Sequence, residues 1–305
     1  MKKLLVVGVA ALALATGLAA CSSSTPAPSA KPSSASGADP ALVKLVPKAI
    51  ESQGTINGGA NFQAPPLANY DTDGKTPSGA VVKLVEHASA LLGLTVNWQQ
   101  ILYPDQIPAM QAKKIVISGS ASGANADIIA SANVVGMFYN QQGILALPAK
   151  AKLFKTVDDM CGKSIGLGQA AAGTIAIFDK VADKCKADGK DAPKKTLLSA
   201  TADIVLAVQS GRIDGGMIPT PTVIYTAQQS GGKLVATSVG AAIAKAIPQG
   251  DEGFTLAKDQ LPLAKAYQAA FNTMMKDGSY VKIMKQFGVP SSQFRTTATL
   301  NKVSS

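Results

Sequence analysis

The sequence predicts an α/β protein built as two lobes. Three observations carry this. Apolar, β-branched runs alternate with helical stripes from Thr55 to Phe287, which argues for α/β layers with mainly parallel sheets. About 250 residues remain for folding once the terminal segments are set aside, a length better served by two lobes than by one. The chain is 47% hydrophobic and 16% charged, so it can bury a large core.

TINGGAN (55–61) reads as a weak strand and TDGK (72–75) as a turn. Gly79 leads into AVVKLVEHASALLGL, whose apolar residues fall at 81, 82, 84, 85, 88, 91 and 92 in a helical stripe. Lys83, Glu86 and His87 take the other face. His87 is the only histidine, and on that polar face it reads as a solvated residue, not a catalytic group or a metal ligand. LTVNW (94–98) is a strand, DQIPAMQAKK (105–114) a short helix, IVISG (115–119) a strand, and GILAL (143–147) a strand ended by Pro148.

A second series follows. KSIGLG is a strand, and a helix runs from Thr174 to Lys186. KTLLSA (195–200), RIDGGMI (212–218) and LVATS (234–238) are strands; ADIVLAVQSG (202–211) and TVIYTAQQSGG (222–232) are helices, the latter with a glycine stop. FTLAKD (254–259) precedes a long amphipathic helix, Leu261 to Lys276, and a short one, Ser279 to Phe287. No internal repeat interrupts the series.

The termini read differently. Lys2 and Lys3 precede an apolar run from Leu4 to Leu18 and then Ala19-Ala20-Cys21. That is a secretory signal, too short to span a bilayer. Leu18-Ala19-Ala20-Cys21 also resembles a bacterial lipobox, in which Cys21 is acylated and becomes the first mature residue; the alternative is a plain signal peptide. Several acyl chains anchor stably where one is marginal. Residues 22–40 are Ser, Ala and Pro with almost no large apolar side chain, a tether whose ends lie about 25 Å apart as a coil. Thr296 to Ser305 is polar and expected to fray.

Composition excludes some partners. The net charge is +10, or +8 without Lys2 and Lys3. Its lysines are scattered, only Arg212 and Arg295 are arginines, and aromatics are 5%, which argues against nucleic acid. With Cys21 lipidated, Cys161 and Cys185 remain as an even pair in an oxidising compartment. The helix from Thr174 returns antiparallel to KSIGLG, bringing Cys185 back beside Cys161. A disulfide is expected; two free buried thiols are the alternative.

Several stretches then fall into a familiar order: ALVKLVPKAIESQGTI, DTDGK before the Gly79 helix, LLGLTVNW, YPDQIPAMQAKK, DDMCGKSIGLGQAAAGT, QSGRIDGGMI and MKDGSYVKIMKQFGV. In that order and spacing the chain resembles the family 3 solute-binding proteins of ABC importers, polar amino acid type, over about residues 42–290. The resemblance implies a two-lobe, type II periplasmic-binding-protein-like fold with two crossover strands as its hinge. Lobe one would be 42–147 plus 243–295 and lobe two 148–242, after a signal peptide (1–20) and a tether (21–41) and before a flexible tail (296–305). Ligand would occupy the cleft, which closes on it, at the carboxyl ends of the strands.

The family's pocket residues imply Phe62, Tyr103, Ser118, Gly119, Ser120 and Ser122 in lobe one and Gly173 and Thr174 in lobe two. Each also has a plainer reading: core aromatics, a turn, a helix N-cap. Two family anchors have no counterpart. Ala126 stands near the arginine that grips an α-carboxylate, and Pro219 where an aspartate takes the α-amino group. From Ile115 to Ala149 the only charged side chain is Asp127. The pocket is therefore expected to hold an amino-acid-like or neutral polar solute through hydroxyls, backbone amides and aromatic faces.

The resemblance implies a monomeric, lipid-anchored receptor on the outer face of the cytoplasmic membrane, passing a small solute to an ABC permease without cofactor or metal. A surface or sensor protein that kept the fold and lost transport is the alternative. An enzyme is disfavoured. The glutamates are Glu51, Glu86 and Glu252, with Glu252 placed in a loop before a strand, and no Ser–His pair is available.

Overall fold

The computed structural model describes residues 37–247 and 250–303. The expected signal peptide, Cys21 and most of the tether lie outside the described residues. Its last residues do not: the Asp39 amide donates to the Leu91 carbonyl at 2.9 Å, and the Asp39 carboxylate caps α1 (Pro40–Val43). Residues 39–41, given to the tether by composition, belong to the fold.

After α2 (Lys48–Gln53), β1 (Thr55–Ala60) runs into a small antiparallel meander of β2 (Gln63–Ala64), β3 (Ala68–Tyr70) and β4 (Pro77–Ser78). The TDGK turn joins β3 to β4. Gly79 then has φ 106°, and a Cβ there would lie 2.5 Å from the Leu67 carbonyl oxygen, so only glycine fits. This tight approach lets the first amides of α3 (Ala80–Leu91) donate to the Pro66 and Leu67 carbonyls, satisfying helix-start donors that would otherwise be orphaned.

β5 (Thr95–Gln100), α4 (Gln106–Gln111), β6 (Ile117–Ser118), β7 (Ser122–Gly123), α5 (Ala126–Ser131) and β8 (Ala132–Tyr139) follow. The chain then leaves this sheet. β9 (Gln142–Ala146) starts a second sheet, continued by α6 (Pro148–Ala151), β10 (Ser164–Gly168), α7 (Ala172–Ala187), β11 (Lys194–Leu198), α8 (Thr201–Gln209), β12 (Gly215–Pro219), α9 (Thr220–Gln229), β13 (Val235–Ala236) and α10 (Val239–Ala246). β14 (Asp251–Ala257), α11 (Leu261–Asp277), α12 (Ser279–Gln286) and β15 (Phe294–Leu300) return to the first sheet.

The first sheet has the order β15-β8-β14-β6-β1-β5, with β7 beside β14; the second has β11-β10-β12-β9-β13. Both are mixed, not mainly parallel. β5, β1 and β6 are parallel, as are β11, β10 and β12, but β8, β14 and β15 pair antiparallel, and so do β9 and β13 with their neighbours. The antiparallel strands flank the points where the chain passes between sheets.

Those pairings move the expected lobe limits. β9 lies before residue 147, yet it bonds β12 with Met217 opposite Ile144, so it belongs to the second sheet. Ile243 and Ile247 pack in the second sheet's core, and the first sheet resumes only at Asp251. Thr296 to Leu300, expected to fray, is the greater part of β15: Leu300 pairs with Val135 and Thr299 with Gly136. β8 itself had no sequence counterpart.

α3, α11 and α12 cover one face of the first sheet, burying Leu84, Phe138, Phe254, Tyr267, Phe271 and Tyr280. Each such side chain contributes about 1.5–3 kcal/mol by leaving water. The second sheet is covered on both faces. Ile144 packs with Phe154 and Phe178 on one, and its neighbour Leu145 with Ile204 and Val208 on the other, the period-two geometry of a strand. The disulfide between Cys161 and Cys185 is present, Cα to Cα 5.7 Å, tying the end of α7 to the turn before β10.

Candidate functional site

The loop after β6 is built around a glutamine. Ser118 donates to Gln106 Oε1 at 2.6 Å. Gln106 Nε2 donates to Ser120 Oγ at 2.8 Å and to the Ile101 carbonyl at 3.1 Å. Ser120 Oγ also accepts from the Asn61 amide, and Ser118 Oγ from the Ser120 amide. The Ser118 proton is therefore spent on Gln106. Ser120 accepts twice and keeps its own proton to give.

Gly119 explains why the loop can lie so close to β1 and β5. A Cβ there would be 2.7 Å from the Trp98 ring and 3.2 Å from Ala60 Cβ. Phe62 stands behind the same surface. It is buried, its ring 4.5 Å from that of Tyr70, among Ala60, Ala68 and Val82. Its amide donates to Gln100 Oε1.

Tyr103 and Ser122 come together. Burial raises the Tyr103 phenol pKa, and its hydrogen bond with Ser122 opposes the rise. Both line a cavity of about 140 Å³ that also touches Gln106, Ile128 and Thr255. Glu252, in β14 rather than in a loop, lies within electrostatic reach of Tyr103. Its backbone pairs with Gly123 and Phe138. It is 6% exposed, Oε2 has no hydrogen-bond partner, and burial pushes its carboxyl pKa up to about 7. Its charge adds to the rise at Tyr103.

Gly173 and Thr174 are in the first turn of α7, which has no side-chain cap. Thr174 donates to Gln142 Oε1 at 3.0 Å, and Gln142 Nε2 donates to Asn140 Oδ1. Asn140, between β8 and β9, is the link. A Cβ on Gly173 would lie 3.3 Å from its Nδ2, and a Cβ on Gly123 3.9 Å from the same atom. One amide group thus stands between the two glycine-bearing edges.

Ala126 opens α5, exposed, behind the Asn125 cap. Arg295 is paired with Asp251, Arg212 is exposed, and Pro219 ends β12. Sequence reasoning missed Gln106, Asn140 and Gln142 and misjudged Glu252. The only signal was polar residues, NQQ and DE, beside apolar runs.

Comparison with known proteins places this geometry. The sequence pattern of the bacterial extracellular solute-binding proteins, family 3, matches residues 56–290. An arginine-binding protein of Corynebacterium glutamicum is 27% identical over 255 residues, 82% of this chain and 79% of that protein. Among solved structures, an ABC uptake transporter substrate-binding protein from Streptococcus pneumoniae with bound histidine has a TM-score of 0.66 at 20% identity, covering 81% of this chain and 97% of the other. An ancestral arginine-binding protein bound to arginine has a TM-score of 0.62 at 20% identity, covering 77% and 98%. At that identity the structural likenesses establish the two-lobe fold.

Proposed function

The chain belongs to the bacterial extracellular solute-binding proteins, family 3, and from that membership we propose that it is the receptor of an ABC-type importer, binding a small amino-acid-like solute between its lobes. The family match over residues 56–290 carries this reading. The Asn140–Gln142–Thr174 chain supports it, since it joins a crossover to the first turn of α7. Solute would meet Tyr103, Ser120, Ser122, Gly173 and Thr174, with Phe62, Ser118 and Gly119 supporting the loop. It would be delivered to a membrane permease.

Lipid attachment at Cys21 belongs to the same proposal and rests on LAAC after the apolar run. Incorporation of labelled palmitate into the wild-type chain and not into Cys21→Ala tests it. The receptor is read as a monomer without catalytic activity.

Thermal denaturation against a panel of amino acids and their analogues tests the central claim. A ligand at 100 times its Kd stabilises by about 2.7 kcal/mol, and at least one compound is expected to do so. A uniformly flat response favours a surface or sensor protein that kept the fold. The exposed Ala126, where a carboxylate clamp is missing, is the observation on that side.

A further inference from the structure

The fold buries one carboxylate and gives it no answer. Glu252 lies at the end of β14 nearest the second crossover, near enough to act on the phenol of Tyr103, which lines the cavity, while its own side chain is not part of that lining. Its Oε2 is without a partner, and among the described residues it forms no salt bridge. Among the described residues no cation pairs with it; Lys258, just past β14, donates to the Ile129 carbonyl instead. Residues 115–149, which supply β6, β7, α5 and β8, carry only Asp127, and the turn holding Tyr103 carries only Asp105; both are exposed. The adjacent Asp251 is bonded to Arg295 and Thr299.

A buried carboxylate is normally paired, because ionisation without a counter-charge is costly. A neutral donor would satisfy an oxygen of Glu252 and leave the charge buried. A cation supplies both donor and charge, and its bond is the stronger for it. Resting on the reading of the protein as a solute receptor, we propose that Glu252 is the counter-ion for an ammonium or guanidinium group of the bound solute, with Tyr103 as its neighbour. The expectation of a pocket without a fixed charged pole is replaced by one negative pole and no positive one. A cationic side chain is selected, and an α-carboxylate is not required.

The full-length protein is titrated calorimetrically at pH 8 and pH 5.5 with arginine, agmatine (the same guanidinium without a carboxylate) and citrulline (the uncharged isostere of arginine). Arginine and agmatine bind at pH 8, and citrulline binds at least about tenfold more weakly. Binding of both cations weakens by about thirtyfold at pH 5.5, because a carboxyl near pKa 7 must first lose its proton; citrulline is unaffected. Glu252→Gln, checked for folding by its melting transition, binds arginine at least about tenfold more weakly and no longer responds to pH. Equal binding of arginine and citrulline, or arginine binding indifferent to pH and to Glu252→Gln, overturns the assignment and leaves the receptor reading standing. Absence of binding by all three and by the wider amino acid panel removes both.

Discussion

Arg295 and Asp251 form a nearly dry ion pair, 9% and 7% exposed, that fastens the last strand to the point where the chain re-enters the first sheet. The guanidinium lies 4.7 Å from the Tyr139 ring centroid, at the end of β8 where the chain leaves. Thr299 donates to the other Asp251 oxygen at 2.6 Å. One arginine therefore touches both crossovers. Removing it takes the guanidinium away from a buried carboxylate, so Arg295→Ala is expected to destabilise the protein by about 3–5 kcal/mol. Urea unfolding measures this, and a loss below about 1 kcal/mol contradicts it.

The Cys161–Cys185 bridge closes a loop of sequence separation 24. In the loop-entropy account such a bridge stabilises by about 3 kcal/mol. The Cys161→Ser, Cys185→Ser double variant should lose about that much in chemical denaturation. Adding reductant should then change the wild type and leave the variant alone.

Glu252 makes stability depend on pH in a stated direction. Its folded-state pKa of about 7 lies above its ordinary value of 4.5, so the folded state holds the proton more tightly. The stabilisation is full below about pH 4.5, falls as pH rises through 7, and is absent above it, a loss on the order of 3 kcal/mol. Asp214 acts elsewhere: burial opposes its ionisation, yet Lys150 and Ser164 hold its carboxyl down to about 2, so its contribution disappears only in acid. Melting curves of ligand-free protein should show wild type and Glu252→Gln alike at pH 5 and the variant more stable at pH 8.

Gly119 rests against the single tryptophan. Gly119→Ala would drive a methyl into the Trp98 ring, and overpacking of this kind costs about 1–3 kcal/mol. The intrinsic emission should shift with it, since Trp98 is the only indole in the chain. An unchanged emission maximum would mean that the loop moves aside.

Much of the fold was legible before any coordinate. The stripe of α3, the TDGK turn, the alternation of β10 to α9 and the cysteine pair are local signals: a period, a turn residue, a return path. β8 was not legible. ANVVGMFY is buried at seven of its eight positions, so it shows no alternation, and its role comes from β14 and β15 on either side. The tail failed for a related reason: the polar FRTTATL becomes a strand because β8 offers it an edge.

The site divides in the same way. Its loops and glycines could be named from sequence, as could the absence of an arginine at 126. What the hydroxyls do could not, because Ser118 and Ser120 are answered by Gln106 from another element. Nor could the state of Glu252. The chain by itself determined the α/β series, the disulfide partners and the alanine at position 126, since these depend on residue type and spacing. Only the tertiary structure decided which strands cross between sheets and which carboxylate is left buried without a partner, because pairing and desolvation depend on what distant segments bring alongside.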